Sequence, residues 1–153
     1  MSRLIESIKL LHGDFYNLSY HEHRMTTSLN ALFGASRPVQ LQKYLSEQQP
    51  PQTGLYKCRI VYDNSNMDVT FTAYEPKKIK RVKIVEDNDI SYAFKFLARE
   101  HIDRLFRQRD ECDDVLIVKD GRVTDCSFSN IVFREGEQWI TPSSPLLKGT
   151  MRQ

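Results

Sequence analysis

Apolar positions gather at strand length from the start of the chain. Leu4, Ile5, Ile8, Leu10 and Leu11 form one such segment, closed by His12-Gly13-Asp14, and Phe15, Tyr16 and Leu18 read as the returning strand of a hairpin over 4–18. Ser19, with Glu22 three residues on, has the spacing of a capping box. The helix it opens carries Met25, Leu29, Leu32 and Phe33 at intervals of three and four and ends near Gly34. A second helix is predicted from about Val39 to Gln48, stopped by Pro50-Pro51. Gly54 to Tyr62 and Met67 to Tyr74 are strands joined by the turn-forming Asp63-Asn64-Ser65-Asn66, and Ile79 to Val85 is a third strand of the same meander. A short helix is predicted over Arg99 to Gln108. Asp114 to Lys119 and Arg122 to Asp125 flank Asp120-Gly121, a strong type I′ hairpin signal, and Asn130 to Arg134 and Gln138 to Thr141 flank Glu135-Gly136-Glu137. The order predicts an α+β fold in two lobes: an N-terminal α+β lobe over 1–87 and a C-terminal β-rich lobe over 88–153, meeting at Asp87-Asn88-Asp89 with a crevice for a cofactor between them.

Composition narrows the class of protein. An apolar share of 40% with 10% aromatic residues excludes a disordered chain. Lys plus Arg, 22, nearly balances Asp plus Glu, 20, so a dedicated nucleic-acid binder is not expected. Cys58, Cys112 and Cys126 are odd in number and lack CxxC spacing, which argues against a disulfide scaffold or zinc ribbon and for a reducing, cytoplasmic compartment. The N-terminal stretch carries Glu6 and Lys9 among its apolar residues and is no signal peptide. No apolar run approaches the ~18 residues of a membrane span. A soluble intracellular protein is expected.

Few residues could carry chemistry on their own. His21-Glu22-His23 invites a metal reading, but helical positions two apart do not share a face and no third ligand is near, so a solvated helix start is the expectation and no metal is predicted. Lys77, Lys78, Lys80, Arg81 and Lys83 read as a lysine-protected strand edge rather than a phosphate-backbone site. The cysteines read as small buried hydrophobes. Lys95 stands apart. It lies inside Tyr92-Ala93-Phe94-Lys95-Phe96-Leu97, where apolar surroundings would lower an ammonium's pKa and free the amine to attack a carbonyl, although a snorkelling edge-strand lysine fits as well.

The stretch that follows carries more information. Asp-Asp-Val-Leu-Ile-Val-Lys-Asp-Gly-Arg-Val-Thr-Asp-Cys-Ser-Phe-Ser-Asn-Ile-Val-Phe, residues 113–133, resembles the signature of class IV aminotransferases, the fold-type IV pyridoxal-phosphate enzymes. In that family an acidic residue, a few small residues and Asn precede an apolar strand, followed by Thr-Pro and Leu-x-Gly-x-x-Arg. Here these are Asp125, Asn130, Thr141-Pro142 and Leu147-Lys148-Gly149-Thr150-Met151-Arg152. Upstream, His21-Glu22-His23-Arg24 is similar to the family's His-x-x-Arg at a helix start.

The resemblance implies a two-lobed enzyme with pyridoxal phosphate at the lobe interface. It assigns Lys95 as the catalytic, cofactor-bearing lysine and Asp125 to the pyridine nitrogen. It assigns Arg24 and the backbone of Gly149, Thr150 and Met151 to the phosphate. Asp125 stands where the family commonly carries Glu, its separation from Lys95 is a few residues shorter than usual, and the Asn that often follows the family lysine is absent. Family members continue past the Leu-x-Gly-x-x-Arg segment, so the second lobe is expected to be incomplete. A homodimer in the cytoplasm acting on a small amino substrate is implied. The expected activity is 4-amino-4-deoxychorismate lyase, releasing pyruvate to give 4-aminobenzoate for folate biosynthesis. The alternatives are a branched-chain or D-amino acid aminotransferase and a non-catalytic truncated relative.

Overall fold

A hairpin start and a helix that must cover it organise the first unit. The structure, a computed structural model, describes residues 3–35 and 38–147. The strands are β1 (Leu4–Leu11), β2 (Asp14–Phe15), β3 (Leu55–Tyr62) and β4 (Met67–Ala73), all antiparallel in the order β2-β1-β3-β4. Along β1 the side chains alternate, and Leu4, Glu6, Ile8 and Leu10 all fall on the buried phase. Over that face pack α1 (Leu18–Phe33), through Met25 and Leu29, and α2 (Leu41–Ser46), through Leu41 and Leu45. Cys58, Ile60 and Tyr62 of β3 close the core. Burying each large apolar side chain here contributes roughly 1.5–3 kcal/mol.

Helix α1 ends as expected: Gly34 adopts φ 67°, and its N–H donates to Asn30 O at 2.9 Å. It begins differently. Asn17, left-handed at φ 59°, is the N-cap, so Ser19 lies inside the helix and the expected capping box does not form. Glu22 is drawn elsewhere. Its Oε1 accepts the N–H of Leu41 at 2.6 Å and of Gln42 at 3.4 Å, supplying the first turn of α2 with an acceptor that the local sequence there lacks. At the β3–β4 turn, Asp63 Oδ1 accepts from the N–H groups of Ser65 and Asn66, and those bonds hold its carboxyl below the usual carboxylate range.

The second unit contains β5 (Val82–Glu86), α3 (Glu100–Phe106) with a 3-10 turn over 107–109, β6 (Asp114–Lys119), β7 (Arg122–Cys126), β8 (Phe133–Glu135) and β9 (Gln138–Ile140). Val85, Ile90, Ile102, Leu105, Val115 and Ile117 make its core, with Tyr92 and Leu146 packed against them. Asp120 and Gly121 take φ 50° and 70°, the two positive values a type I′ turn requires. The strand expected as third in the first meander pairs instead with β6, in parallel, from Val82↔Asp114 to Glu86↔Val118. Asp113 fixes that pairing: its Oδ2 accepts from the backbone N–H groups of Lys80 and Arg81, at the entry to β5. The cationic run is tied down in the same way, with Lys83 on Asp110 and Lys77 over the Phe128 ring.

The chain divides at different residues from those read in the sequence. The first unit comprises Met1–Pro76 and Phe94–Ala98, and the second comprises Lys77–Ala93 and Arg99–Gln153.

Candidate functional site

Lys95 belongs to the short segment that returns to the first unit, where it runs antiparallel beside the start of β1. Ile5 N–H donates to Lys95 O at 2.9 Å, Leu97 N–H donates to Arg3 O at 2.8 Å, and Leu4 pairs with Phe96. Phe94 and Phe96 pack against the core and meet edge to face at 5.9 Å. Between them, Lys95 is half-buried. The aromatic flanks thus anchor the backbone of the lysine while leaving its side chain on the alternate phase. The segment makes an isolated bridge to β1, at Leu4↔Phe96.

Arg24 projects from α1 onto β1. Its Nε donates to Glu6 Oε1 at 2.8 Å, its Nη2 donates to Glu6 Oε2, and His21 Nδ1 lies 2.7 Å from the same Oε2. Glu6 is fully buried, and Arg24 retains 14% exposure of its side chain. Burial pushes the Glu6 carboxyl up, but the hydrogen bonds and charges of Arg24 and His21 outweigh it and hold the group below its ordinary value. An ionised carboxylate can only accept, so His21 carries its proton on Nδ1. Tyr62, next to this cluster, has its phenol pushed up first by burial and then by the Glu6 charge, and it hydrogen-bonds Ser28. His21 is therefore buried rather than at a solvated helix start. Consecutive β1 residues organise the two candidate groups of this unit: Ile5 through its main chain holds Lys95, and Glu6 through its side chain holds Arg24.

Asp125 lies in the second unit, near the end of β7, and is buried. Its Oδ2 accepts the N–H of Leu146 at 2.7 Å, which ties the segment after Thr141-Pro142 to the strand. The peptide of Ser127, two residues on, is gripped from both sides: Arg99 Nη2 donates to its carbonyl at 2.6 Å, and its N–H donates to buried Asp114 Oδ1 at 3.3 Å. Opposite charges thus fix the turn that follows Asp125. A cavity of about 550 Å³ within this unit is lined by Ile90, Tyr92, Lys119, Arg122, Thr124 and Leu146, among others, and Lys119 Nζ donates to Ile90 O beside it. Burial pushes the thiols of Cys58 and Cys126 up to about 12 and about 11, the latter with help from the Asp114 charge, so both are inert.

Gly149, Thr150 and Met151, assigned to the phosphate by resemblance, lie outside the described residues. Among the described residues, no cluster of three or more His, Cys, Asp or Glu could hold a metal ion, and no helix is long and apolar enough to cross a membrane. Glu6 was not singled out in the sequence, although its place in phase with Leu4, Ile8 and Leu10 marks a carboxylate on an inward face.

The family model of amino-transferase class IV matches residues 3–153. A protein of Haemophilus influenzae, described as uncharacterized, is 36% identical over 100% of this chain and 82% of its own. The crystal structure of a protein from Haemophilus somnus 129PT, provisionally named 4-amino-4-deoxychorismate lyase, is 35% identical with a TM-score of 0.92, covering 99% of this chain and 81% of that one. An aminotransferase from Brucella abortus, described as bound to the cofactor PLP, shares the fold at 16% identity and a TM-score of 0.68 over 91% of this chain and 60% of its own. The fold is that of the fold-type IV enzymes. This chain belongs to the class IV aminotransferase family.

Proposed function

We propose that the protein is a pyridoxal-phosphate enzyme acting as a 4-amino-4-deoxychorismate lyase, releasing pyruvate from the amino substrate to leave 4-aminobenzoate. The observation that carries it is the likeness, over almost the whole chain, to the Haemophilus somnus protein provisionally given that name. The donor set fits the cofactor. A half-buried lysine lies on a backbone fixed by two hydrogen bonds, a guanidinium cation is held by a buried carboxylate, and a second buried carboxylate lies in the other unit.

In this role Lys95 would hold the cofactor through its Nζ, Arg24 would take the phosphate, and Asp125 would face the ring nitrogen, with Gly149, Thr150 and Met151 supplying backbone N–H groups. The bound group supplies an electron sink for the carbon that bears the substrate amine. Lys95 Nζ would take the proton from that carbon and return one after the bond breaks. Asp125 accepts one hydrogen bond from Leu146, and a carboxylate has further lone pairs with which to hold a proton on the ring nitrogen. Resemblance to the family supports a homodimer working in the cytoplasm.

Incubation of purified protein with the cofactor and 4-amino-4-deoxychorismate, with pyruvate followed by a coupled NADH-dependent lactate dehydrogenase, tests the proposal. Pyruvate release with no 2-oxo acid added as amino acceptor supports it. Amino transfer that requires an added 2-oxo acid points to a transaminase, and protein that stays colourless with excess cofactor overturns the enzyme reading.

A further inference from the structure

Glu6 occupies a position where an apolar residue would be expected to serve the fold better. It shares the inward phase of β1 with Leu4, Ile8 and Leu10 and is itself fully buried. Replacing a buried ion pair with well-packed apolar residues is often neutral or stabilising, so stability alone does not account for a carboxylate there. What the carboxylate does provide is orientation. It binds Arg24 through both Nε and Nη2, a two-point contact that fixes the plane of the guanidinium. His21, three residues before Arg24 on the same helix, holds the shared Oε2 from the other side at 2.7 Å. An arginine side chain otherwise has many rotamers to search, and that freedom is lost on binding an anion.

We infer that Glu6 is a positioning residue: with His21 it fixes the plane of the Arg24 guanidinium before the cofactor arrives, so that the phosphate meets a cation already oriented. The role presupposes that Arg24 takes the phosphate, as proposed above. Two features separate it from a purely structural one. The effect of Glu6 is confined to ligands that carry the phosphate, and it is transmitted through Arg24.

The test compares affinities of the full chain for pyridoxal phosphate and for pyridoxal, which lacks the phosphate, by titration of absorbance with borohydride trapping. The proteins are the parent, Glu6→Gln, Arg24→Ala and the double variant. Glu6→Gln is expected to weaken pyridoxal phosphate about tenfold or more, the size of one charge-assisted contact, and to leave pyridoxal unchanged. Arg24→Ala is expected to abolish the preference for the phosphorylated ligand, and adding Glu6→Gln to it to change nothing further. Should Glu6→Gln not yield soluble protein, Glu6→Asp, which keeps the charge on an arm one methylene shorter, is expected to lower the same preference.

If Glu6→Gln (or Glu6→Asp) affects both ligands alike or neither, while Arg24→Ala removes the preference, the positioning role is overturned and the phosphate assignment stands. If Arg24→Ala leaves the preference intact, the phosphate assignment fails and the role of Glu6 with it.

Discussion

Acid should weaken the first unit, and Glu6→Gln should remove part of that sensitivity. The folded Glu6 carboxyl titrates below its ordinary value of 4.5 because Arg24 and His21 favour the ionised form more than burial disfavours it. For a depressed acid, the stabilisation is fully present above the unfolded value and is lost as pH falls through the folded one. Each pKa unit of depression corresponds to about 1.4 kcal/mol. Neutralising Glu6 permanently leaves Arg24, 14% exposed, without its buried counter-charge, and breaking such a pair costs about 3–5 kcal/mol. That is a large part of the ~5–15 kcal/mol that holds a domain together, yet it leaves a margin for folding. Asp63, Asp87 and Asp113 are also depressed, so the parent protein alone is not diagnostic. Those groups are common to both proteins and cancel in the difference. Urea unfolding at a series of pH values from 7 to 3 gives that difference directly. The variant should be less stable at pH 7, and the two curves should converge as pH drops below the ordinary value of 4.5 and on through the lower folded one. Parallel curves across the whole range would refute the coupling of Glu6 to Arg24 and His21.

Other outcomes follow from the same geometry. Lys95→Ala should abolish borohydride-fixable cofactor with little change in unfolding midpoint, since the side chain is only half-buried, and peptide mapping that finds the reduced label on Lys83 or Lys119 instead would falsify the assignment. Asp125→Asn should slow turnover far more than it weakens cofactor binding, because its Leu146 contact survives in an amide oxygen; turnover at the parent rate would reduce Asp125 to a structural acceptor. Glu22→Ala, which strips the acceptor from the start of α2, should cost about 1 kcal/mol in urea unfolding. At pH 8 iodoacetamide should label Cys112 in the native protein well before Cys58 or Cys126, whose thiols lie at about 12 and about 11.

Local chemistry was legible where neighbouring residues decide it. The first hairpin, the stop at Gly34, the Asp63 turn and the Asp120-Gly121 hairpin each depend on residues a few positions apart and each formed, although the return strand of the first stops at Phe15, and Leu18, expected within it, opens α1. Pairing between distant segments was not legible. Nothing in Val82–Glu86 says that its partner is β6 rather than β4; that choice is made by Asp113, about thirty residues downstream, capturing the N–H groups before the strand. Glu22 shows the same limit, because its spacing from Ser19 was right for a capping box and a helix that starts at Leu18 sent it to another helix. Lys95 was visible as a cation among aromatics. Glu6 is legible only through its phase: a charge near the N-terminus bears on targeting, whereas alternation with Leu4, Ile8 and Leu10 places this one on the inward face of a strand.

The return of Phe94–Ala98 to the first unit has a consequence for the order in which the protein can be completed. On the ribosome the other strands of the first unit emerge by residue 73, but the N–H of Ile5 and the carbonyl of Arg3 find their partners only in Lys95 and Leu97. At that end β1 remains a bare sheet edge while the intervening residues, Lys77–Ala93, leave to build part of another unit. A nascent chain stalled in that interval presents a free strand margin to any other β segment nearby, which is the usual template for mispairing. The segment that closes this edge also carries Lys95, so the lysine reaches its place at the same moment as the backbone groups of Arg3 and Ile5 find their partners.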